Sequence, residues 1–296
     1  MFEKKIKKGF ASLLNYFNFI SAGVILNKDG SLTGGFYYEG LDLDSKSDEE
    51  RNALSVQVNA VFGKLDGGWT VNIDSLRLFV KRYPLDSQST SAVIKLFEEE
   101  RREHFEKKGT HYKNVYALTL TFKPSLLQDS NFRKVFVNGQ NKTHLKENDM
   151  NVLLAEFEKV MEKVQGGLLG CQITLKRMDS EELFSFLHFC ITGEFQDGSK
   201  VIGNHQSNTQ VIESLDYVLG GYDFIAGLKP TIDGKYISVV SVIGFPLESY
   251  SGILNCLNTL SFPYRSSMRF ITLDPVEAQA LLVKIRTKWI NAQFSP

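Results

Sequence analysis

Cysteine is scarce in this sequence: three among 296 residues, Cys171, Cys190 and Cys256. They are far apart, odd in number and lack C-x-x-C spacing, which argues against a disulfide framework and fits reduced thiols in a cytosolic protein. Charge of either sign is not in excess, since 34 Lys and Arg balance 34 Asp and Glu. A dedicated nucleic-acid-binding domain is usually basic, so nucleic acid is not the expected main partner. A net charge near zero also gives little colloidal repulsion, which suits a piece of a larger assembly. There is no run of 18 apolar residues of the kind that spans a membrane.

Catalytic motifs are missing too. No G-x-x-x-x-G-K-[ST] stretch cradles a nucleotide phosphate, and no G-x-S-x-G elbow appears. Gly166-Gly167 and Gly170 lead to Cys171-Gln172 with no lysine, and they read as a helix-to-strand turn. The five histidines form no H-E-x-x-H set. His188 and Cys190, two apart on a helix, point about 200° from each other and cannot pair. The chemistry points to a binding or assembly module with no catalytic, cofactor or metal residues of its own.

What is present is an ordinary globular composition, 43% hydrophobic and 23% charged, with a length that suggests two lobes. Residues 1–21 begin with Lys4, Lys5, Lys7 and Lys8 and continue with Phe10, Leu13, Leu14, Phe17 and Ile20. This reads as a basic amphipathic helix, either an ordinary one or one lying on an anionic membrane surface. Residues 22–124 form a first α+β lobe: a hairpin about Asp29-Gly30, a helix opened by the capping box Ser47/Glu50, a strand from Trp69, a helix near 89–108 and a strand Val115 to Phe122. Within the first of these strands the apolar phase slips from Trp69, Val71 and Ile73 to Leu76, Leu78 and Val80, which suggests a bulge.

Residues 125–214 form a mainly helical middle segment, with one helix burying Leu153, Phe157, Met161 and Val164 and another running from Asp179 to Gly193. Residues 215–296 repeat the order hairpin, helix, strand, helix: a hairpin about Asp233-Gly234, a short helix near 253–260, a strand Tyr264 to Leu273, and a helix capped by Asp274 whose buried face is Ala278, Leu281, Leu282, Ile285 and Trp289. The fold class is therefore α+β, two small mixed lobes joined by a helical segment, with a weak duplication or a chance recurrence of element order.

One helix carries an anomaly. Ile94, Phe97 and Phe105 share a face near 89–108, and Arg101 falls in its middle. A buried unpaired Arg is costly. The expectation is that Arg101 pairs with Glu98 one turn earlier and is partly buried, its stem against Phe97 and Phe105.

Several stretches taken in order resemble one family. They are Leu26-Asn-Lys-Asp-Gly-Ser31, Tyr38-Glu-Gly-Leu-Asp-Leu-Asp-Ser45, Gly68-Trp69, Tyr83-Pro84, Glu100-Arg101-Arg102 and Tyr116-Ala-Leu-Thr-Leu-Thr121, then Val242-Ile-Gly-Phe-Pro246, Phe262-Pro-Tyr-Arg265, Arg269-Phe-Ile-Thr-Leu-Asp274 and Lys288-Trp289. Together they resemble the N-terminal half of the TrbE/CagE/VirB family, the large ATPases of type IV secretion and conjugation systems. The resemblance implies a further RecA-like ATPase domain, outside these residues, that would hold ATP and Mg. It also implies a docking role for this half in DNA or protein translocation. The expected partners are inner-membrane secretion subunits, the chain's own ATPase domain and neighbouring copies in a hexamer. The expected location is the bacterial cytoplasm, peripheral to the inner membrane. Candidate interaction or structural residues are Glu98, Arg101, Arg102, Arg265, Arg269 and Trp289. A second reading is a nucleic-acid-contacting module of the transfer machinery. It rests on Lys134, Lys142 and Lys146 near Phe132 and Phe136, and on Arg265 and Arg269 beside Tyr264 and Phe270.

Overall fold

The computed structural model describes residues 9–43, 45–80, 83, 91–123, 147–195, 214–242, 244, 248, 250 and 253–293. Its centre is an antiparallel sheet. Strands β1 (Tyr16–Ser21), β2 (Val24–Asn27), β3 (Leu32–Glu39), β4 (Trp69–Val80), β5 (His111–Phe122), β6 (Thr174–Arg177) and β10 (Tyr264–Ile271) belong to it. The order is β1-β2-β3-β5-β4-β10, and β6 continues the line of β2 along β3. The helices are α1 (Asp48–Phe62), α2 (Ala92–Lys108), α3 (Glu147–Gly170), α4 (Ser180–Thr192), α5 (Leu215–Leu219) and α6 (Pro275–Gln293). Two-residue strands β7 (Phe224–Ile225), β8 (Thr231–Ile232) and β9 (Lys235–Tyr236) form a separate small sheet. The fold is mixed α+β, as its element pattern indicates.

Local chemistry explains the best-formed elements. Ser47 and Glu50 make a reciprocal capping box at the start of α1, and Asp179 and Glu182 make another at α4. Gly193 ends α4 in the left-handed conformation. Asp233 and Gly234 both have positive φ, at 50° and 74°, the pairing a tight I′ hairpin requires. Gly23 turns β1 into β2 at φ 68°, where a Cβ would lie 2.2 Å from the Met178 carbonyl oxygen; no other residue fits there.

The sheet is covered on both faces by different helices. Side chains alternate along a strand, so Trp69 and Val71 of β4 face one way and Asp74, Leu76 and Leu78 the other. On the first face they join Val24, Leu26, Leu118 and Leu120 beneath Phe157, Met161 and Val164 of α3, with α1 packed beside it. Phe157 stacks on Trp69 with ring centres 5.6 Å apart, and Trp69 stacks on Phe122 at 4.8 Å. On the second face Ile25, Leu76, Leu78 and Ala117 meet Leu183, Phe184 and Leu187 of α4, with Leu215 and Leu219 of α5.

The two-sided cover corrects the expected bulge. β4 pairs with β5 in unbroken register from Trp69↔Phe122 to Val80↔His111. The apolar phase slips because the buried face changes midway, from the α3 side to the α4 side.

Other expectations also change. Residues 10–13 form a single 3-10 turn and Tyr16–Ser21 is a strand, so the helix expected over 1–21 does not extend through them; residues 1–8 lie outside the described residues. Gly166, Gly167 and Gly170 are inside α3 and not in a turn. Gly167 lets α3 approach α1, since a Cβ there would sit 2.9 Å from Val61. The hairpin about Asp233-Gly234 has arms of only two residues, Thr231–Ile232 and Lys235–Tyr236, and the short helix near 253–260 is a 3-10 turn. The repeated element order does not yield two equivalent units: β10, from the segment 215–296, is an outer strand of the sheet built by residues 16–122.

Candidate assembly surface

β10 is held to the sheet by its ladder with β4 and by an ion pair to a buried carboxylate. It runs antiparallel to β4 from Tyr264↔Arg77 to Ile271↔Thr70. This places Arg265 on the face of Asp74, and the Arg265 Nε donates to Asp74 Oδ1 at 2.8 Å. The Asp74 side chain is only 1% exposed and its Oδ2 has no partner among the described residues, whereas Arg265 is 35% exposed. Burial disfavours the Arg265 cation, but the Asp74 carboxylate and its hydrogen bond outweigh it and raise its pKa. The same burial pushes the Tyr16 hydroxyl and the Cys190 thiol up to about 12.

Thiol chemistry offers a check on this interior. A thiol with that pKa is thiolate in only about one molecule in ten thousand at pH 8, and the thiolate is the reactive form. Cys256 is exposed and Cys171 is buried. We expect a maleimide to modify Cys256 first in the folded chain, with Cys190 and Cys171 reacting only on unfolding. Mass spectrometry of a timed reaction reads this; equal rates at Cys190 and Cys256 would contradict the packing.

Among the other candidate residues, Arg269 lies opposite Asn72 and is exposed. Glu98, Arg101 and Arg102 gather midway along α2. Arg101 pairs with Glu98 at 3.9 Å, as its spacing indicates, but its side chain is 72% exposed. The expected partial burial is therefore corrected: the apolar face that Arg101 interrupts is itself open, with Ile94 and Phe97 exposed. Glu98 also accepts a hydrogen bond from the Tyr83 hydroxyl at 3.0 Å, and Arg102 lies over the Tyr83 ring at 6.0 Å. Phe105 stacks on His111 at 3.6 Å, fastening the last turns of α2 to the start of β5. Trp289 on α6 is 61% exposed, so the stripe Leu281, Leu282, Ile285 and Trp289 is a bare face, not a buried one. Lys134, Lys142 and Lys146 lie outside the described residues.

The residue that sequence reading passed over is Asp74. Its signal was present: an aspartate in the middle of an apolar strand, at the position of the phase slip.

α2 and α6 stand at opposite ends of the same strands. α2 follows β4 and precedes β5 where Val80 meets His111. α6 begins four residues after β10 ends opposite Thr70, and Thr272 clasps that corner by accepting from the Trp69 N–H at 3.0 Å and donating to the Asp66 carbonyl at 2.6 Å. Twelve-residue β4 separates these ends by roughly 40 Å. Both helices, with Met268, Phe270 and Ile271 of β10, expose large apolar side chains. A cleft of about 800 Å³ on the second sheet face is walled by Tyr37, Leu78, Phe79, Phe189 and Phe195, with Lys113 and Glu194 as its charged lining. Among the described residues no group of His, Cys, Asp and Glu is arranged to hold a metal, and no helix is long and apolar enough to cross a membrane.

Closed cores stand beside bare helices, and similarity to known proteins gives the family. Residues 23–129 match the family described as type IV secretion system ATPase VirB4/TrbE, N-terminal domain. The chain is 32% identical over 294 residues to the conjugal transfer protein TrbE of Rhizobium radiobacter, across 95% of this chain and 35% of that protein. In Sinorhizobium fredii two separate proteins are described as pieces of a probable conjugal transfer protein TrbE. The first is 36% identical over 133 residues, covering 89% of that protein and 44% of this chain. The second is 37% identical over 110 residues, covering 15% of that protein and 37% of this chain. The chain belongs to the TrbE/VirB4 family of type IV secretion ATPases and corresponds to its N-terminal region; it spans about a third of the length of the Rhizobium relative.

Proposed function

We propose that this region is a non-catalytic docking and assembly module, which holds a conjugation ATPase against inner-membrane secretion subunits and against neighbouring copies during DNA or protein transfer. The observation that carries this reading is the concentration of exposed apolar side chains on α2, β10 and α6 beside two closed cores. Patches of this kind mark interaction sites on globular proteins. On this reading ATP and Mg²⁺ belong to the remaining length of the longer relatives, and the module sits in the bacterial cytoplasm at the inner membrane. The nucleic-acid reading loses the Nε of Arg265 to Asp74 and keeps the exposed Arg269 on β10.

Two measurements test the proposal. The purified chain should capture detergent-solubilised inner-membrane secretion subunits, and Phe270→Asp should reduce capture at least tenfold while leaving the unfolding midpoint within a degree or so, because Phe270 is already exposed. The same chain should show no ATP turnover above background. Capture that ignores the Phe270 change, or turnover that follows the protein through successive purification steps, would count against it.

A further inference from the structure

β10 leaves one edge of the main sheet open. It is the last strand in the order β1-β2-β3-β5-β4-β10, and among the described residues no strand lies beyond it. The Thr272 N–H donates inward to the Trp69 carbonyl at 2.9 Å, and the direction of backbone hydrogen bonding alternates along a strand. The N–H and C=O groups of Tyr264, Ser266, Met268 and Phe270 therefore serve the ladder with β4, while those of Arg265, Ser267, Arg269 and Ile271 point outward. Edges of this kind are ordinarily blunted by a bulge, a proline or a lysine. β10 has none of these: its eight residues, YRSSMRFI, run in unbroken register with β4, and Pro263 stands just before them. Side chains flank the open edge on both faces of the sheet. Met268 and Phe270 are exposed on the α3 face, and Arg269 is exposed on the other, where Arg265 is already turned onto Asp74.

From this edge we infer that β10 receives an extended segment of a partner protein as an added strand. In such pairing the outward backbone groups supply affinity, and the flanking side chains decide which segment fits. Residues of the segment that fall beside Met268 and Phe270 are apolar, and those that fall beside Arg269 are carboxylates. The partner thus presents alternating apolar and acidic residues, the two-residue period of a strand. A second copy of this chain is a poor occupant of the same edge. In a closed pair the outward-pointing residues face one another, so antiparallel β10 against β10 sets Arg269 opposite Arg265 or diagonal to its own counterpart, and like charges oppose pairing. The inference names what a docking partner presents, and so rests on the docking reading above. It also gives Phe270 its part there, since the exposed ring covers one face of the added strand.

A synthetic peptide tests it. The probe is a fluorescein-labelled peptide of about eight residues alternating Val and Glu, titrated with the 296-residue chain at low salt and read by anisotropy. The parent chain should bind it. The Val/Lys counterpart, and the same residues sorted into a Val block and a Glu block, should each bind about tenfold more weakly. Ser267→Pro removes an outward N–H and leaves the ladder with β4 intact, and proline is tolerated at such edge positions. This variant should unfold in urea close to the parent and bind the peptide about tenfold more weakly, whereas Ser267→Ala should bind as the parent does. Arg269→Glu, a change at an exposed position, should turn the preference toward the Val/Lys peptide, a gain that no folding defect produces. A parent chain that ignores the Val/Glu peptide, or a Ser267→Pro chain that binds it equally well, overturns the inference. Self-association that Ser267→Pro abolishes, in a chain that does not bind the peptide, assigns the edge to a second copy and also overturns it. If the parent captures secretion subunits and the folded Ser267→Pro variant captures them equally, the inference falls and the docking function stands. Peptide binding by a parent that captures none of those subunits upholds the edge site and removes the docking reading.

Discussion

Phe157→Ala should lower the free energy of unfolding by about 4 kcal/mol, the largest loss expected from any single truncation on α3. Phe157 is fully buried, and it lies flat on Trp69, which in turn lies on Phe122. Removing the ring takes away its transfer free energy and leaves a void between a helix and the sheet, where the surrounding backbone cannot collapse. Val152→Ala on the same helix is the control: Val152 is exposed, and its loss should stay within about 0.5 kcal/mol. Urea unfolding monitored by Trp fluorescence reads both changes. A Phe157→Ala loss below about 1 kcal/mol would mean that α3 is not seated on the sheet as described.

The second large effect concerns the pair beneath β10. Arg265→Ala removes the counter-ion of a carboxylate that is 1% exposed, and such a buried uncompensated charge costs about 3 kcal/mol, at the low end of the range because water can follow the departing side chain. Adding Asp74→Asn should restore most of the loss, since a neutral amide needs no counter-ion there. The double-mutant cycle separates this coupling from the packing each side chain contributes. If Arg265→Ala and the double variant lose the same stability, the ion pair is not what fastens β10.

How far the fold can be read from the amino acids depends on which physical signal a residue carries. The capping boxes at Ser47 and Asp179 and the apolar period of α3 were legible because each is a local rule fulfilled within one element. The hairpin at Asp29-Gly30 was legible for the same reason. Tyr16–Ser21 was not: Phe17, Phe19 and Ile20 satisfy a helical period and a strand period equally, and pairing with β2 decides between them. The slip along β4 was visible but its cause was not, because a strand cannot announce that two helices cover opposite faces at its two ends. Periodicity marked α2 and α6 as amphipathic and stopped there. An apolar stripe states that something is to be covered, and both stripes are bare. The candidate residues divide along the same line. Glu98 and Arg101 were found by their spacing, whereas the link from Arg265 to Asp74 spans 191 residues and needed the β4–β10 register.

The placement of β10 has a mechanical consequence. It runs antiparallel to β4 for eight residues and passes within three residues into α6, with Thr272 clamped to Trp69 and Asp66 at the junction. Ladder hydrogen bonds lie across the strands. A pull delivered through α6 along the strand axis therefore loads the ladder in shear, all bonds sharing the force, and does not peel them open one at a time. The Arg265–Asp74 pair sits near the far end of that ladder and resists sliding of β10 past β4. Motion of whatever is seated on α6 would thus reach the rest of the sheet as displacement of a stiff body, with the seven-stranded sheet acting as a lever arm.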